Sequence, residues 1–339
     1  MNIYTFTVRR LLLLIPVLVG ITLVAFVVSH AVPADPIISN LGQRAQDDPS
    51  IVGRYRHQWG LDQPLPVQYG IYVRNLLHGD LGVSITSRQP VTTDLRQYFP
   101  ATLELSTAAT LFSLIIGIPL GVLAAVRRNR PADHISRVIS LIGISTPVFW
   151  LGLLALILFY YHLGWFPGSG QIDVGIQTPH TITGMLVVDS LIEGNWKAFG
   201  NSLWHLVLPA VVLGSYTLGI VTRMTRGSML EVLTQDYIRT ARAKGLRAGT
   251  VVFRHGLRNA IMPTLTLVGL AYGSLLSGAV LTETIFSWPG IGRYATTTAG
   301  TLDFPAIMGV ALLTAFLFVI LNLIVDVLYG VLNPQIRFG

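Results

Sequence analysis

Residues 223–263 read RMTRGSMLEVLTQDYIRTARAKGLRAGTVVFRHGLRNAIMP, and the arrangement of the whole chain follows from this basic stretch. It contains eight lysines and arginines against two acidic residues, Glu231 and Asp236. Long apolar segments lie on both sides of it. Because basic loops between membrane spans remain in the cytoplasm, the stretch predicts a cytoplasmic loop, residues 223–262, between two spans.

A short helix is predicted inside this loop. Ser228, followed by Glu231 three residues later, fits a capping box, so the helix is expected to begin there. Gly245 is a residue type that commonly ends helices. Residues four positions apart lie on one stripe of a helix. Here the stripe changes from large to small side chains, in the order Leu233, Tyr237, Ala241 and Gly245. We interpret the small end of this stripe as a notch for a closely bound partner. An amphipathic helix lying on anionic lipid is the alternative.

The composition indicates a membrane protein. The 339 residues are 52% hydrophobic and 12% charged, whereas soluble domains carry about 25% charged residues. The absence of cysteine excludes disulfides, thiol catalysis and thiolate metal sites. The net charge of +7 does not require nucleic acid, because the membrane topology accounts for the cations.

The apolar segments predict an all-α polytopic membrane protein with six transmembrane helices and both termini in the cytoplasm. The first apolar run is longer than the roughly 7–15 residues of a signal peptide, which is the alternative reading. The predicted domains are residues 1–32 with the first span, a large periplasmic segment at 33–100, and a core at 101–339. The predicted spans are residues 11–32, 101–126, 138–162, 203–222, 263–281 and 304–329.

The distribution of cations supports this topology. Fifteen of the 23 lysines and arginines fall in the predicted inside segments, and the longer outer segments hold the other eight. Six spans with both ends inside therefore satisfy the positive-inside rule.

The predicted outer segments contain two features of interest. The first segment is turn-rich, and a loop of this length is expected to carry structure of its own. An apolar piece at residues 185–192 is too short to span and is expected to lie in the membrane interface. We predict a docking surface for an extracytoplasmic partner in the first segment, with a solvated cap as the alternative, at Asp62, Gln63, Pro64, Tyr69 and Asp80.

Three carboxylates lie in or near the predicted spans: Glu104, Glu283 and Asp326. Charged groups are costly in hydrocarbon, so each is a candidate for the translocation pathway or its gating. Asn322 lies one turn from Asp326, and the two are expected to form a polar cluster near the inner end of their helix. A structural carboxylate bonded to a neighbouring helix is the alternative in each case.

No motif for catalysis is present. The sequence has no phosphate-binding Gly-x-x-x-x-Gly-Lys-Ser/Thr, no His-Glu-x-x-His and no Gly-x-Ser-x-Gly. Its eight histidines do not have metal-ligand spacing. We therefore expect no enzyme activity, no catalytic residue, no metal site and no cofactor bound by this chain.

The basic stretch resembles the cytoplasmic signature loop of ABC-importer permeases, in their peptide/nickel branch. The matching residues are 236–246, 254–260 and Pro263. The general signature reads Glu-Ala-Ala, three residues, Gly, and then Ile-x-Leu-Pro. Here residues 239–241 read Arg-Thr-Ala and the proline lies further on, as in the peptide branch. The resemblance reaches nearly the whole chain and is closest to the dipeptide permeases, because it includes residues 228–233, 283–293 and 326–337.

This resemblance implies a permease subunit of an ATP-driven importer for dipeptides or other short peptides, in a bacterial inner membrane. Its implied partners are a second homologous permease subunit, two ATP-binding subunits that bind ATP and Mg, and a periplasmic substrate-binding protein. Glutathione, haem, nickel and longer peptides remain alternative substrates. A carrier driven by an ion gradient is a less favoured alternative, because the two halves show no evident inverted repeat.

The resemblance also implies a role for the helix in the basic loop. It would dock in a groove of one ATPase and move as a rigid body when ATP closes that subunit. The residues implied in this coupling are Asp236, Tyr237, Arg239, Ala241, Arg242, Lys244 and Gly245.

Overall fold

The computed structural model describes residues 3–31, Gly53 and residues 63–332 of the chain. These residues are almost entirely helical, and their one β-bridge joins Val83 to Pro90. The α-helices are α1 Ile3–Ala31, α2 Leu65–Leu77, α3 Val91–Val126, α4 Pro131–Ser145, α5 Val148–Ala155, α6 Leu186–Glu193, α7 Trp196–Val232, α8 Asp236–Ala243, α9 Arg258–Ala260, α10 Met262–Gly278, α11 Val280–Ile285, α12 Ile291–Gly300 and α13 Phe304–Leu332. Two π-helical segments, Leu156–His162 and Thr250–Leu257, continue α5 and precede α9.

Two long helices, α3 and α7, form the centre of the fold. They contain 36 and 37 residues, which at 1.5 Å per residue makes each about 55 Å long. Both therefore exceed the roughly 30 Å hydrocarbon core of a bilayer. They are also longer than the predicted spans 101–126 and 203–222. α3 begins ten residues before the predicted span and includes Pro100, because buried residues on both sides of this proline, Leu95 and Ala101, fix the helix in place.

Small residues allow α3 and α7 to pack closely. A Cβ on Gly121 would lie 2.7 Å from the carbonyl oxygen of Thr222, and one on Gly214 would lie 2.6 Å from the carbonyl oxygen of Ala109. Such backbone contact requires glycine at these positions. Gly117 and Gly121 of α3, which are spaced as Gly-x-x-x-Gly, thus lie at a helix–helix interface.

The predicted third span is broken in the structure. α4 ends at Ser145 and α5 begins at Val148. The chain bends by 107° between α4 and the helical segment that follows it. Thr146 is extended, with φ −84° and ψ 125°, because the residue before a proline is sterically disfavoured in the helical region. The segment 138–162 is therefore a bent pair and not one straight helix.

A second bend of 52° separates residues 250–260 from residues 262–276. α10 starts one residue before Pro263, in agreement with the predicted start of the fifth span, and ends at Gly278 instead of residue 281. Two glycines four residues apart in α10 contact α13: a Cβ on Gly269 would collide with the side chain of Val325, and one on Gly273 would lie 3.4 Å from Phe318.

Within the part of the chain that the structure describes, three helical segments could cross a membrane by length and composition: α3, α7 and residues 304–325 of α13. The number rises to five if each bent pair is one crossing. Residues 15–27 of α1 form a shorter apolar helix among the described residues. The six spans therefore remain a prediction, whereas the all-helical membrane architecture is confirmed.

Candidate functional site

The basic stretch begins as a continuation of α7. This helix runs on to Val232, so Ser228 lies inside it, and the predicted helix start at Ser228 is wrong. Met229 explains the extension, because it is fully buried among Val122, Ala125 and Ala260. This packing holds the last turns of α7 against the end of α3. A capping pattern is local in the sequence and does not reveal such a contact.

The loop helix itself is α8, residues Asp236–Ala243. Ile238 and Ala241 are buried against Val251 of the π-helical segment, with Leu233 packed beside them. Ala241 thus faces its own chain, and the predicted stripe is divided between α7 and α8. Sequence reasoning missed Ile238, although its spacing of three from Ala241 is the helical signal for a shared face.

The opposite face of α8 is exposed and carries the predicted polar residues. Arg239 Nη1 lies 3.3 Å from Asp236 Oδ1, with both side chains mostly in the open, so this pair contributes little to stability. Asn259 donates a 3.0 Å hydrogen bond to the Tyr237 hydroxyl. The two remaining predicted coupling cations, Arg242 and Lys244, are exposed as well.

Gly245 ends α8 in the left-handed conformation, as the sequence predicted. Its φ is +73°, and no neighbouring atom lies within 4 Å of a Cβ built on it. The space immediately around a Cβ at Gly245 is therefore open.

A buried ion pair lies next to this region and was not predicted. Asp133, in the first turn of α4, is fully buried, and Arg226 of α7 binds it with Nε–Oδ1 2.7 Å and Nη2–Oδ2 3.0 Å. The backbone N–H of Asn129 donates to Oδ2 at 2.9 Å. Arg137, half exposed on α4, lies 3.4 Å from Oδ1. The sequence signal was weak, because Arg226 read as one loop cation among eight.

Glu104 caps a short helix in the predicted second outer segment. It is buried on α3, and its Oε1 accepts a 2.7 Å hydrogen bond from the backbone N–H of Val187, in the first turn of α6. Gln171 Nε2 lies 3.4 Å from its other oxygen. A carboxylate at the start of a helix satisfies free N–H groups there. The helix α6 is the apolar piece predicted at residues 185–192.

Glu283 caps the start of α12, as Glu104 caps the start of α6. It is fully buried, accepts a 2.7 Å hydrogen bond from the Thr102 hydroxyl, and accepts the backbone N–H of Arg293 at 3.0 Å. The Thr102 hydroxyl in turn accepts the backbone N–H of Ile291 at 2.8 Å. A Cβ on Gly290 would collide with the Glu283 carboxylate, so the turn before α12 is shaped around this group.

Of the two remaining intramembrane candidates, the structure describes the side chain of Asn322 but not that of Asp326. Asn322 is half-buried on α13. Asp326 lies in the same helix, but its side chain is outside the described part of the chain. The polar cluster predicted for this pair stays a prediction.

The predicted docking residues surround α2. Pro64 precedes the helix, the backbone carbonyl of Gln63 accepts from Gln68 Nε2 at 2.8 Å, and Asp80 Oδ1 accepts the backbone N–H of Gly82 at 2.9 Å. The Tyr69 hydroxyl lies 2.9 Å from that of Thr22 on α1. Asp62 falls outside the described residues.

Burial of the neighbouring Tyr72 raises the pKa of its phenol to about 12. The aromatic side of α2, with Tyr69 and Tyr72 near Phe26, therefore faces α1.

Further buried groups hold the predicted outer segments to the helices. Tyr294 of α12 donates to Asp94 Oδ2 at 2.7 Å, and the Ser84 hydroxyl donates to Asp303 Oδ2 at 2.6 Å. Burial, and the hydrogen bond to Asp94, raise the pKa of Tyr294. Neither aspartate was singled out from the sequence, because their partners lie about 200 residues away along the chain.

A second attachment fixes the loop before α6. Asn201 Nδ2 donates to Asp173 Oδ2 at 2.6 Å, and His205 Nε2 lies 3.1 Å from Asp173 Oδ1. The hydrogen bond from Asn201, followed by that from His205, lowers the pKa of Asp173. The other ring nitrogen of His205 lies 3.0 Å from the carbonyl oxygen of Gly170.

A cleft of about 580 Å³ opens between α5, α7, α10 and α11. Its described lining is apolar apart from the hydroxyl side chains of Tyr216, Thr217, Ser274 and Thr282, and it includes no charged residue. Its volume falls in the range of roughly 300–1,000 Å³ of small-molecule sites. Among the described residues no group of three or more His, Asp or Glu side chains could hold a metal ion.

Comparison with known proteins identifies the family. A family model for the inner membrane component of binding-protein-dependent transport systems matches residues 117–338, and one for the N-terminal part of such components matches residues 3–106. The chain is 50% identical over 326 residues to the probable D,D-dipeptide transport system permease protein of Escherichia coli strain K12, over 96% of this chain and 95% of that protein. It is 47% identical over 333 residues to the di/tripeptide transport system permease protein of Pseudomonas aeruginosa strain UCBPP-PA14, over 98% of both.

The fold is also similar to that of a chain in the inward-facing MetNI methionine ABC transporter, with a TM-score of 0.51, 18% identity, and coverage of 69% of this chain and 93% of that chain. At this identity the likeness shows the fold alone. The predicted resemblance to peptide permeases is confirmed by the two relatives. The chain belongs to the family of inner membrane components of binding-protein-dependent transport systems, in its branch of peptide permeases.

Proposed function

We propose that this chain is one of two permease subunits of an ATP-driven importer for dipeptides or other short peptides. The observation that carries the proposal is the construction of α8. One face is fixed to the chain through Ile238 and Ala241, and the other presents charged side chains and the open end at Gly245. A helix held in this way can receive force from a partner without being displaced from its own subunit.

The proposed membrane topology has six spans with both termini in the cytoplasm. The two bent pairs and the long helices supply up to five crossings, and α1 is the proposed sixth. In this orientation α8 faces the cytoplasm, as the excess of cations around it favours, and α2, α6 and α12 lie on the periplasmic side. The setting is a bacterial inner membrane.

The proposed substrate path includes the cleft between α5, α7, α10 and α11. Its rim residues Tyr216, Leu270 and Leu281 are exposed, which leaves room for a second, homologous permease subunit to close the path. A lining without fixed charge suits many peptides, because it does not select one side-chain charge. We assign Glu104 and Glu283 to gating through the helices they cap, and retain Asn322 and Asp326 as candidates near the inner end.

The proposed partners are this second permease, two ATP-binding subunits that hold ATP and Mg, and a periplasmic substrate-binding protein. In this assembly α8, with Asp236, Tyr237, Arg239, Arg242 and Lys244, contacts one ATPase. The chain itself binds no cofactor and hydrolyses no ATP. The residues around α2, including Asp62, Gln63, Pro64 and Asp80, receive the binding protein.

The test is to coexpress the chain with the permease, ATPase and binding-protein genes next to it, purify it in detergent and reconstitute it in vesicles. We expect co-purification of a second permease and ATPases, hydrolysis stimulated by loaded binding protein, and ATP-dependent uptake of a labelled dipeptide. Mass spectrometry of ligand released from the binding protein distinguishes peptides from glutathione, haem or nickel. A chain that purifies alone and accumulates solute on an ion gradient would refute the importer assignment.

A further inference from the structure

We propose that Asp133 and Arg226 are positioning residues that transmit the movement of α8 to α4 during transport. This inference rests on the proposed function, because it concerns how an ATPase-driven movement reaches the membrane helices. It assigns a coupling role to two residues outside α8, one in α4 and the other in α7.

The geometry of the pair favours a mechanical link between two elements. The contact is bidentate, at 2.7 and 3.0 Å, and the Asp133 side chain is fully buried. Bidentate arginine–carboxylate pairs fix the relative orientation of both partners as well as their distance. Since α4 and α7 are separate helices, neither can shift along the other at this end without breaking the pair.

Arg226 is joined to α8 through the last turns of α7. Met229 and Leu233 follow Arg226 by three and seven residues, on the same side of the helix. Met229 is fully buried against Ala260, and Leu233 packs on the cluster of Ile238 and its neighbours beneath α8. A push on α8 therefore acts on the end of α7 that carries Arg226.

Asp133 is joined in the other direction to the bend at Pro147. It lies in the first turn of α4 and closes the preceding turn by accepting the N–H of Asn129, whose φ is +60°. Farther along, α4 touches α7 backbone to backbone, since a Cβ on Gly143 would lie 2.5 Å from the carbonyl oxygen of Ser215. After the bend, Val148 begins α5 and lines the cleft.

The chain supplies a matched control for this pair. Arg137 lies 3.4 Å from the same Asp133 oxygen, but it belongs to α4 and is half exposed. It therefore supports the carboxylate without connecting two helices. Replacing Arg137 or Arg226 by methionine removes one cation near Asp133 in both cases, and only Arg226→Met removes the ion pair that joins α4 to α7.

The experiment measures peptide uptake and ATP hydrolysis together, in vesicles that contain the complete four-subunit transporter with its binding protein. We expect Arg226→Met to retain ATPase association and stimulated hydrolysis while the peptide taken up per ATP falls about tenfold, the scale of 1.4 kcal/mol in one equilibrium. Arg137→Met should retain the wild-type ratio. A normal ratio in Arg226→Met, or an equal loss in both variants, would overturn the proposal.

A second variant, Arg226→Lys, tests the proposal if the Arg226→Met transporter does not assemble. Arg226→Lys keeps the charge but loses the bidentate geometry, so it should assemble and show a ratio between those of Arg226→Met and wild type. If Arg226→Lys assembles and transports with the wild-type ratio, the pair acts on stability alone and the coupling role is wrong. If the wild-type chain shows no ATPase association and no ATP-dependent uptake, the proposed function fails, independently of this pair.

Discussion

Replacing Gly245 tests whether α8 is the surface on which an ATPase docks. Gly245 ends α8 with a φ of +73°, and a Cβ there has no neighbour within 4 Å. A non-glycine residue in this conformation costs about 1–2 kcal/mol, and the added Cβ meets no neighbouring atom that would increase this cost. Gly245→Ala and Gly245→Trp should therefore disturb the end of α8 to the same small extent, and neither should prevent membrane insertion.

The two variants should differ only where a partner approaches. If the ATPase closes over this end of the helix, the indole ring occupies space that the partner needs, whereas the alanine methyl does not. Gly245→Asn provides a check on backbone strain, because asparagine tolerates the left-handed conformation better than other residues. Gly227→Trp is the matched control for bulk, since Gly227 is also exposed and also has open space around it, but lies within α7.

The assay is affinity purification of the tagged chain from membranes, with the amount of co-purified ATPase and the peptide uptake measured in parallel. We expect Gly245→Trp to lose ATPase and uptake, whereas Gly245→Ala, Gly245→Asn and Gly227→Trp retain most of both. If Gly245→Trp transports like Gly245→Ala, the docking surface does not include this end of α8. If Gly245→Ala fails equally, backbone strain and not partner contact explains the loss.

Three further predictions concern the side of the protein that we propose to be periplasmic. Glu283→Leu leaves the buried Thr102 hydroxyl and Arg293 N–H without their acceptor, so thermal unfolding of the purified complex should show a loss of about 2–4 kcal/mol; an unchanged melting temperature contradicts this. The pKa of Asp173 is lowered in the fold, so its contribution is complete above the ordinary aspartate pKa of about 3.9 and disappears as pH falls through the lower folded value. Asn201→Leu should move that loss to higher pH, measured by hydrogen exchange in residues 163–185, and an unshifted profile argues against the assignment. Deleting residues 62–69 should reduce the stimulation of hydrolysis by loaded binding protein, and unchanged stimulation would remove the docking role of this segment.

The membrane class, the position of the basic loop and the end of its helix were predictable from the sequence. Apolar content and cation placement are local quantities that can be counted, and a glycine after a helical run is a local stop signal. The start of the helix was not predictable in the same way. Ser228 looked like a cap, but the burial of Met229 against α3 and α9 keeps α7 helical to Val232.

The roles of the buried carboxylates depended on the tertiary structure. Glu104 and Glu283 stood out in the sequence because charge is rare in apolar segments. That each caps a short helix became clear from contacts with Val187 and Arg293. Asp133 gave no such signal, since its partner Arg226 lies 93 residues away.

The sequence by itself determined that this chain enters a membrane as helices and which of its loops carry most of the cations. It also determined the family to which the chain is related. These properties depend on composition, periodicity and local turn chemistry. Tertiary structure alone decided which face of α8 is fixed and which is open, and which buried acids join separate helices. Those features depend on contacts between distant residues, such as Ile238 with Val251 and Asp133 with Arg226, and the spacing of residues along the chain does not specify these partners.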